Sequence, residues 1–557
     1  RPIDDALALV MQCLQQSQQQ RFDAPLANFD KAVALAPDFT EALISRGLVL
    51  AHLGRFDDAL ASYDRVLSLK PDAEIFSNRG AALYRLGRFE EAAASYGSAL
   101  ALQPEAETFT RLGAALYRLG RFDEALASYD KALALKPDYA EAFNSRGAAL
   151  VKLARFDQAL ENIDQAIALN SGSAELCQGI GLGFHHLGRL DDALACYDRA
   201  LALEPDRADT RYNRAVTLLR AGDLARGFEA YRWRFHIGGA RPARPDWLTC
   251  PDWEGEPIAG RRLVIFVEQG YGDTLQFVRY VPMAQALGAQ VTLFVPPALT
   301  RLLRASLPGV EVVDRLPETT VFDYQAPMLC LPRIFGTTLD TIPAATPYLL
   351  ADPCAVAAWA QRLAARPGLN IGLVWAGGRD QSYDARRSLK LDQFAPLATI
   401  PGVRFVSLQL GEPADEAKMP PAGLDLVDWT GEISDFADTA ALIANLDLVI
   451  AVDTSAAHLA GALGRPVWIL SRHDGCWRWL LNRSDSPWYP TARLFHQPAP
   501  GQWDPVIADV ATALQAFSSQ QLATPAADDL PAATPPRRDD DAVEFARYGL
   551  QLNYRKR

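Results

Sequence analysis

Among 557 residues there are only seven cysteines, no Cys-x-x-Cys pair, no excess of positive charge and no long apolar run. Each absence removes a class of protein. The cysteines, at positions 13, 177, 196, 250, 330, 354 and 476, are odd in number and dispersed. They read as reduced thiols of a cytoplasmic protein rather than a disulfide framework. The 55 Lys and Arg are outnumbered by 67 Asp and Glu, for a net charge of −12. That balance argues against nucleic acid as a general partner. No stretch of about 18 apolar residues occurs, so no membrane span is predicted, and no signal peptide is legible. The chain begins at Arg1 rather than Met, which leads us to expect an upstream piece. No metal site stands out: His185 and His186 are adjacent and do not share a helix face, and Asp539–Asp541 read as a solvated run in a tail. No cofactor is expected.

What the chain has instead is length, a core and repetition. Its length suggests about three domains, and 49% hydrophobic residues suffice for real cores. Six segments echo one another at intervals of 33 or 34 residues, among them GRFDDALASYDRVLSLKPD, GRFEEAAASYGSALALQPE and GRFDEALASYDKALALKPD. Pro37, Pro71, Pro104, Pro137 and Pro205 mark the beat, and Ser171 fills the missing slot. Between beats a second helix carries Gly47, Gly80, Gly113, Gly147, Gly181 or Ala215. Small residues such as Gly80 and Ala92 let helices cross closely, while Phe89, Tyr96 and Leu100 fill the gaps. The period and pattern resemble the tetratricopeptide repeat. One helix pair cannot bury its apolar face alone, so neighbours must stack into a superhelix, over residues 1–236.

Such arrays form a groove. Two places before each small residue stand Ser45, Asn78, Arg111, Ser145, Gly179 and Asn213. The O-GlcNAc transferases, which this array partly resembles, carry an asparagine ladder at this place that grips a peptide. Asn78 and Asn213 match it. With Arg111, and Asn144 beside Ser145, they are the candidates for an acceptor groove; solvated helix positions are the plainer alternative. Arg46, Arg79, Arg146 and Arg214 recur just before the small residue. Pairing with nearby carboxylates explains them better than a stripe for an acidic partner.

Residues 237–260, rich in Gly, Pro and Trp, read as a linker that is packed, because Trp247 and Trp253 seek burial. The pattern then changes to strands alternating with helices, which means parallel sheets. One block runs over 261–352, with a strand at 262–267, a tight loop at 268–273 and a helix at 274–287. A second runs over 353–517. Together they predict two Rossmann-like lobes. A tail, 518–557, reads as disordered.

The densest signal is DLVIAVDTSAAHLAGALGRPVWIL, from Asp447 to Leu470. A buried strand stops at Asp453-Thr454-Ser455, a helix with His458 in its first turns follows, and a second strand begins at Val467. Polar residues at the carboxyl end of a parallel strand are where such sheets bind ligands, and a helix N-terminus favours phosphate.

Three segments carry a second resemblance. GYGDTLQFVRYVPMAQAL, IGLVWAGGRDQ with RRSLKLDQFAPL, and DTSAAHLAGALGRPV are similar to segments of the lipopolysaccharide heptosyltransferases, glycosyltransferase family nine. The resemblance covers about residues 262–517. It implies a two-lobed GT-B fold, a nucleotide-sugar donor between the lobes, inversion at the anomeric carbon and no metal. The layout of repeats plus this domain resembles bacterial tetratricopeptide glycosyltransferases that modify proteins, flagellin among them. The acceptor would then be a protein held by the repeats; self-association into a homo-oligomer stays open. Where the family has Gly-Pro-Met, this chain has Ser455-Ala456-Ala457, and Lys-x-Trp-Pro is replaced by Arg387-Ser388-Leu389-Lys390. These departures keep two alternatives open: a non-catalytic scaffold with a degenerate transferase domain, or transfer to a lipid or polysaccharide.

Sugar transfer needs a base, charge compensation for the departing phosphate and a dry cleft. Asp273 is the candidate base; its alternative role is helix N-cap. Gly270 and Gly272 allow close backbone approach to a ligand. Arg386 and Arg387, with Lys390 and Arg379, suit phosphate. Asp453, Thr454, Ser455 and His458 form the opposite wall, and Gln409 sits at another strand end. Gln276, Trp375, Gly377 and Ser388 complete the expected donor set.

Overall fold

The computed structural model describes residues 23–237, 247–365, 368–378 and 384–523. Arg379 and the tail from 524 onward lie outside them. The chain divides into two compact units, one of residues 1–184 and 191–206, the other of 185–190 and 207–557. The helices Ala208–Arg220 and Leu224–Tyr231, which the repeat pattern places in the array, thus belong by their contacts to the second unit.

In the first unit each beat is a helix pair, such as Ala73–Arg85 with Phe89–Leu102. Asp72 caps the first of these, accepting from the Ile75 amide at 3.1 Å. The turns at Gly54, Gly87 and Gly120 have φ of 76°, 76° and 75°, a conformation that favours glycine. Ala154 takes the equivalent turn at φ 56° without that freedom.

The small residue of each pair is fixed by a ring. A Cβ on Gly47, Gly80 or Gly113 would stand 2.5, 2.6 or 2.4 Å from the ring of Tyr63, Tyr96 or Tyr129. Where Ile163 replaces the tyrosine, the atom nearest a Cβ on Gly147 is Leu176 Cδ2 at 2.9 Å, from the following repeat. The recurrent arginines pair as expected: Arg46 with Asp30 at 2.6 Å, Arg79 with Asp64 at 2.7 Å and Arg146 with Asp130 at 2.7 Å. Each carboxylate comes from the helix before. Where Gly97 takes the carboxylate's slot, Leu112 takes the arginine's. Where Ile180 takes the arginine's, Asp164 pairs instead with Arg199 at 3.1 Å.

The second unit holds two all-parallel sheets. The first comprises β1 (Arg262–Phe266), β2 (Gln290–Phe294), β3 (Glu311–Val313) and β4 (Tyr324–Pro327) in the order β3-β2-β1-β4. The second comprises β5 (Leu369–Val374), β6 (Val403–Ser407), β7 (Leu426–Asp428), β8 (Leu448–Val452), β9 (Val467–Ser471) and β10 (Ala492–His496) in the order β10-β9-β8-β5-β6-β7. The strands β8 and β9 are buried throughout, as parallel strands with helices on both faces must be. The described part of the linker is packed: Trp253 is buried, and its amide donates to the Gln325 carbonyl of β4 at 2.7 Å.

Several elements differ from expectation. The helix expected at 274–287 starts at Tyr271, because Gly270 in extended conformation serves as its N-cap. The stretch at Leu391–Thr399 is 3-10 rather than α-helical, with Pro396 inside it. The strand β10 and the helix Phe436–Ile443 were not anticipated, and the final helix, Asp504–Ala523, runs past the expected start of the tail. Among the described residues no helix is long and apolar enough to cross a membrane.

Candidate functional site

The second unit contains a cavity of about 860 Å3, lined from both sheets. It lies at the carboxyl ends of β1, β5, β6 and β8, where the alternation of strand and helix leaves loops free to carry polar groups. Its first wall is Gln269–Asp273, the end of the loop after β1 and the first turn of the helix Tyr271–Phe277. The root of this loop is fixed by Glu268, which accepts from Arg234 at 2.7 and 2.8 Å; both side chains are almost wholly buried. The opposite wall is Asp453–Ala456 and His458, where β8 gives way to the helix Ser455–Ala462. The two helices touch: a Cβ on Gly272 would stand 2.9 Å from His458 Cδ2. Gly272 therefore accommodates a side chain of the other lobe.

Asp273 is at the third helical position, not the cap. Its Oδ1 accepts from Arg478 Nη2. Arg478 follows β9 in the turn Trp477–Trp479. Its Nε donates to Gln276 Oε1 at 2.9 Å, its Nη1 to Cys476 Sγ at 3.1 Å, and its guanidinium carbon lies 4.3 Å from the centre of the Trp477 ring. Burial opposes its charge, but Asp273, Cys476 and Tyr231 outweigh burial and hold its pKa well above the ordinary value. Burial raises the Asp453 carboxyl above its usual range, against the pull of Arg478 and Arg387. Burial, with Arg478 and Arg279 nearby, holds the His458 imidazole well below its usual pKa, so the ring is neutral.

Arg387 lies over Gly377. A Cβ there would stand 2.1 Å from Arg387 Nη2, so only glycine leaves the space the guanidinium fills. Arg387 Nη1 donates to the Asp453 carbonyl at 3.0 Å, tying the loop after β5 to the end of β8. Thr454 is the N-cap residue of Ser455–Ala462 but makes no side-chain cap; its hydroxyl donates to the Val452 carbonyl at 3.2 Å.

The structure thus gathers Asp273, Gly270, Gly272, Gly377 and Arg387 around one cavity with Gln409, Asp453, Thr454, Ser455 and His458. The amide of Gln409 is occupied: Oε1 accepts from the Trp375 and Ala376 amides at 3.1 and 2.8 Å, and Nε2 donates to the Leu410 carbonyl at 3.0 Å. Four expected donor residues do not line the cavity. Gln276 is buried behind Arg478 and orients it. Trp375 is fully buried in the core of the second lobe, where a large ring adds most apolar burial. Ser388 accepts from the Gly377 amide at 2.9 Å, and the exposed Arg386 pairs with Asp474 at 3.1 Å.

Sequence reasoning missed Arg478. Its signal was available: Cys476-Trp477-Arg478-Trp479 follows a parallel strand, by the same rule that singled out Asp453. Tyr271 and Phe436 were missed too; their rings meet across the cavity mouth, 5.0 Å between centres. They come from different sheets, so no local pattern announces them.

In the repeats, Asn78 is half-buried on Ala73–Arg85. Arg111 is already engaged, by Ser77 Oγ at 3.2 Å and by Glu107. Asn144 donates to the Ser171 carbonyl at 2.5 Å, and Asn213 belongs to the second unit. Among the described residues no group of three or more His, Cys, Asp or Glu is placed to hold a metal ion.

Comparison with known proteins agrees with this architecture. Residues 16–74, 73–106, 113–153 and 181–222 match tetratricopeptide repeat families. Residues 415–470, from before β7 to the end of β9, match glycosyltransferase family 9 (heptosyltransferase). Protein FlbA of Caulobacter vibrioides is 32% identical over 341 residues; the match spans 56% of this chain and 56% of FlbA. Among solved structures, MamA is 23% identical with a TM-score of 0.28, over 28% of this chain and 92% of its own. YrrB, described as a TPR protein with an unusual peptide-binding site, is 23% identical with a TM-score of 0.30, over 33% and 95%. The chain thus joins tetratricopeptide repeats to an α/β region that carries a glycosyltransferase family 9 segment, and it is similar to FlbA.

Proposed function

We propose that the chain transfers a sugar from a nucleotide-sugar donor to a protein acceptor, with the repeats recruiting the acceptor. One observation carries this reading. The family 9 segment ends its strand β8 on a two-walled cavity whose polar groups suit a phosphorylated sugar. Arg387 and the amides opening Ser455–Ala462 face the departing diphosphate. Asp273 serves as base. The acceptor hydroxyl oxygen bonds to the anomeric carbon as the bond from that carbon to phosphate breaks, with inversion. The hydroxyl proton passes to Asp273 Oδ2, since Oδ1 already accepts from Arg478. The diphosphate leaves with the electron pair, and its charge is met by Arg387 and the helix amides.

Thermal-shift screening against a panel of nucleotide sugars is the first test. A true donor at about 100 times its Kd adds about 2.7 kcal/mol of stability; a panel without any response defeats the proposal. Asp273→Asn then separates the enzyme from a scaffold. Donor binding with transfer to cellular protein lost marks catalysis, whereas an unchanged glycosylation pattern marks a scaffold. The same Arg478 contact favours that second reading, because it occupies one oxygen of the base.

A further inference from the structure

His458 is held in the cavity wall by stacking and by a hydrogen bond. Its ring is 4% exposed and stacks on Trp479, with centres 5.1 Å apart and planes inclined by 22°. Gly272 leaves room for it, and Gly461 leaves room for Tyr489, whose ring would be 2.5 Å from a Cβ there. The Tyr489 hydroxyl is 2.9 Å from His458 Nδ1.

A neutral imidazole carries one hydrogen, and the neighbours decide where. Behind Tyr489 lies Arg279, anchored by the Gln276 and Trp488 carbonyls at 2.8 Å each. Its Nη2 donates to the Tyr348 hydroxyl at 2.8 Å, and that hydroxyl spends its one hydrogen on the Leu275 carbonyl at 2.8 Å. Tyr489 and Tyr348 oxygens are 3.5 Å apart. Were the His458 hydrogen on Nδ1, Tyr489 would accept it, and its own hydrogen would lack an acceptor among the described residues, because in the 3.5 Å contact Tyr348 is the donor. If Tyr489 donates to Nδ1, both tyrosine hydrogens have an acceptor within 2.9 Å, and the remaining hydrogen faces the cavity, where a ligand can take it. The histidine hydrogen is then on Nε2. That atom is 3.8 Å from Asp453 Oδ1, beyond hydrogen-bond reach, on a ring that lines the cavity.

We propose that Tyr489, backed by Tyr348 and Arg279, is a positioning residue that locks His458 as the Nε2–H tautomer. The cavity is thereby offered one fixed N–H donor for a phosphate oxygen of a nucleoside diphosphate, and no second base. The tautomer stands on the hydrogen-bond geometry around a neutral ring; its ligand rests on the sugar-transfer reading above.

Nitrogen-15 spectra of the histidine rings in the full chain test the tautomer, with the His458 signals assigned by their loss in His458→Gln. The expected pattern is unprotonated Nδ1 with protonated Nε2 at neutral pH, shifting toward a mixture in Tyr489→Phe. A protonated Nδ1 or a charged ring in the unaltered chain overturns the proposal, and that spectrum requires no variant of Tyr489 to fold. Titration with UDP, GDP and ADP tests the ligand. Whichever binds should bind about tenfold more weakly to Tyr489→Phe, as for loss of one hydrogen bond. Unchanged affinity overturns the positioning role. If none of the three binds the unaltered chain, the sugar-transfer reading fails, while the spectra still decide the tautomer.

Discussion

The repeats and the cavity-bearing unit both use arginine–carboxylate pairs, but in opposite ways. In the repeats Arg79 pairs with Asp64 on the surface, with side chains 26% and 55% exposed, and the pattern recurs in Arg46 with Asp30 and Arg146 with Asp130. In the second unit Arg234 and Glu268 pair with side chains only 6% and 3% exposed, and no repeat period carries the pair. A surface pair in high dielectric contributes little and can be lost or exchanged, as Leu112 opposite Gly97 and Arg199 beside Asp164 show. A buried pair is costly to assemble and costlier to break, because the remaining charge has no solvent. One pattern is therefore redundant and legible. The other is singular, and it fixes the loop leading to Asp273.

The sharpest way to break the comparison is Arg234→Met. It strands Glu268, which also accepts from the Leu329 amide at 3.1 Å. A loss of about 3–5 kcal/mol is expected in urea unfolding, against about 0–1 kcal/mol for Arg79→Ala. Next comes packing within the repeats. Gly80→Ala sets a methyl 2.6 Å from the Tyr96 ring and forces it aside. Overpacking of this kind costs about 1–3 kcal/mol, so the thermal midpoint of the repeats should fall. A substitution at Gly97, where a Cβ meets nothing within 4 Å, should not lower it.

Acid adds a third distinction. His185, in the second unit, bonds Thr217 Oγ1 through Nδ1 at 2.8 Å, and burial together with Arg220 pushes its pKa down to about 3. A histidine depressed in the folded state is protonated first in the unfolded chain. Its contribution is intact above pH 6.5 and is lost as pH falls toward about 3. One such group gives a slope of about 1.4 kcal/mol per pH unit. Unfolding free energies between those limits should be flatter in His185→Gln than in the unaltered chain by that amount, the depressed His458 contributing to both.

These contrasts explain what the sequence announced and what it did not. The repeats were legible because each Gly–Tyr contact and each Arg–Asp pair recurs at one period, so six copies expose the rule. The strands β1 and β8 were legible as apolar runs ending in polar loops, and β9 as the run that begins at Val467. Arg478 was missed although it follows β9 as Asp453 follows β8, since its partners Asp273 and Gln276 lie some 200 residues away and strand-end position alone does not show what a cation there will hold. Trp375 erred in the opposite direction. It stands beside a strand end, yet the core of the second lobe claims it entirely. A strand's end marks where a site lies, but burial decides which side chains turn toward it. The Gln409 amide shows the same limit. Two backbone amides at the end of β5 needed an acceptor, and that demand is invisible until the strands are set side by side.

The smallest expected effect tests the redundancy of the repeats directly. The pair Gly97 and Leu112 occupies the slots that hold Asp64 and Arg79 one repeat earlier. Gly97→Asp combined with Leu112→Arg should restore the missing link. The single changes carry unrelated terms: removing a helical glycine favours the helix, and Leu112 packs partly against the core on both sides. The quantity of interest is therefore the coupling in a double-mutant cycle, which removes those terms. We expect about 0.2–1 kcal/mol, as for other exposed pairs, falling as salt is added. A cycle between Arg234 and Glu268 should give a coupling severalfold larger that salt barely moves. Equal couplings would mean that exposure does not separate the two kinds of pair, and the contrast between the repeats and the cavity unit would have to rest on packing alone.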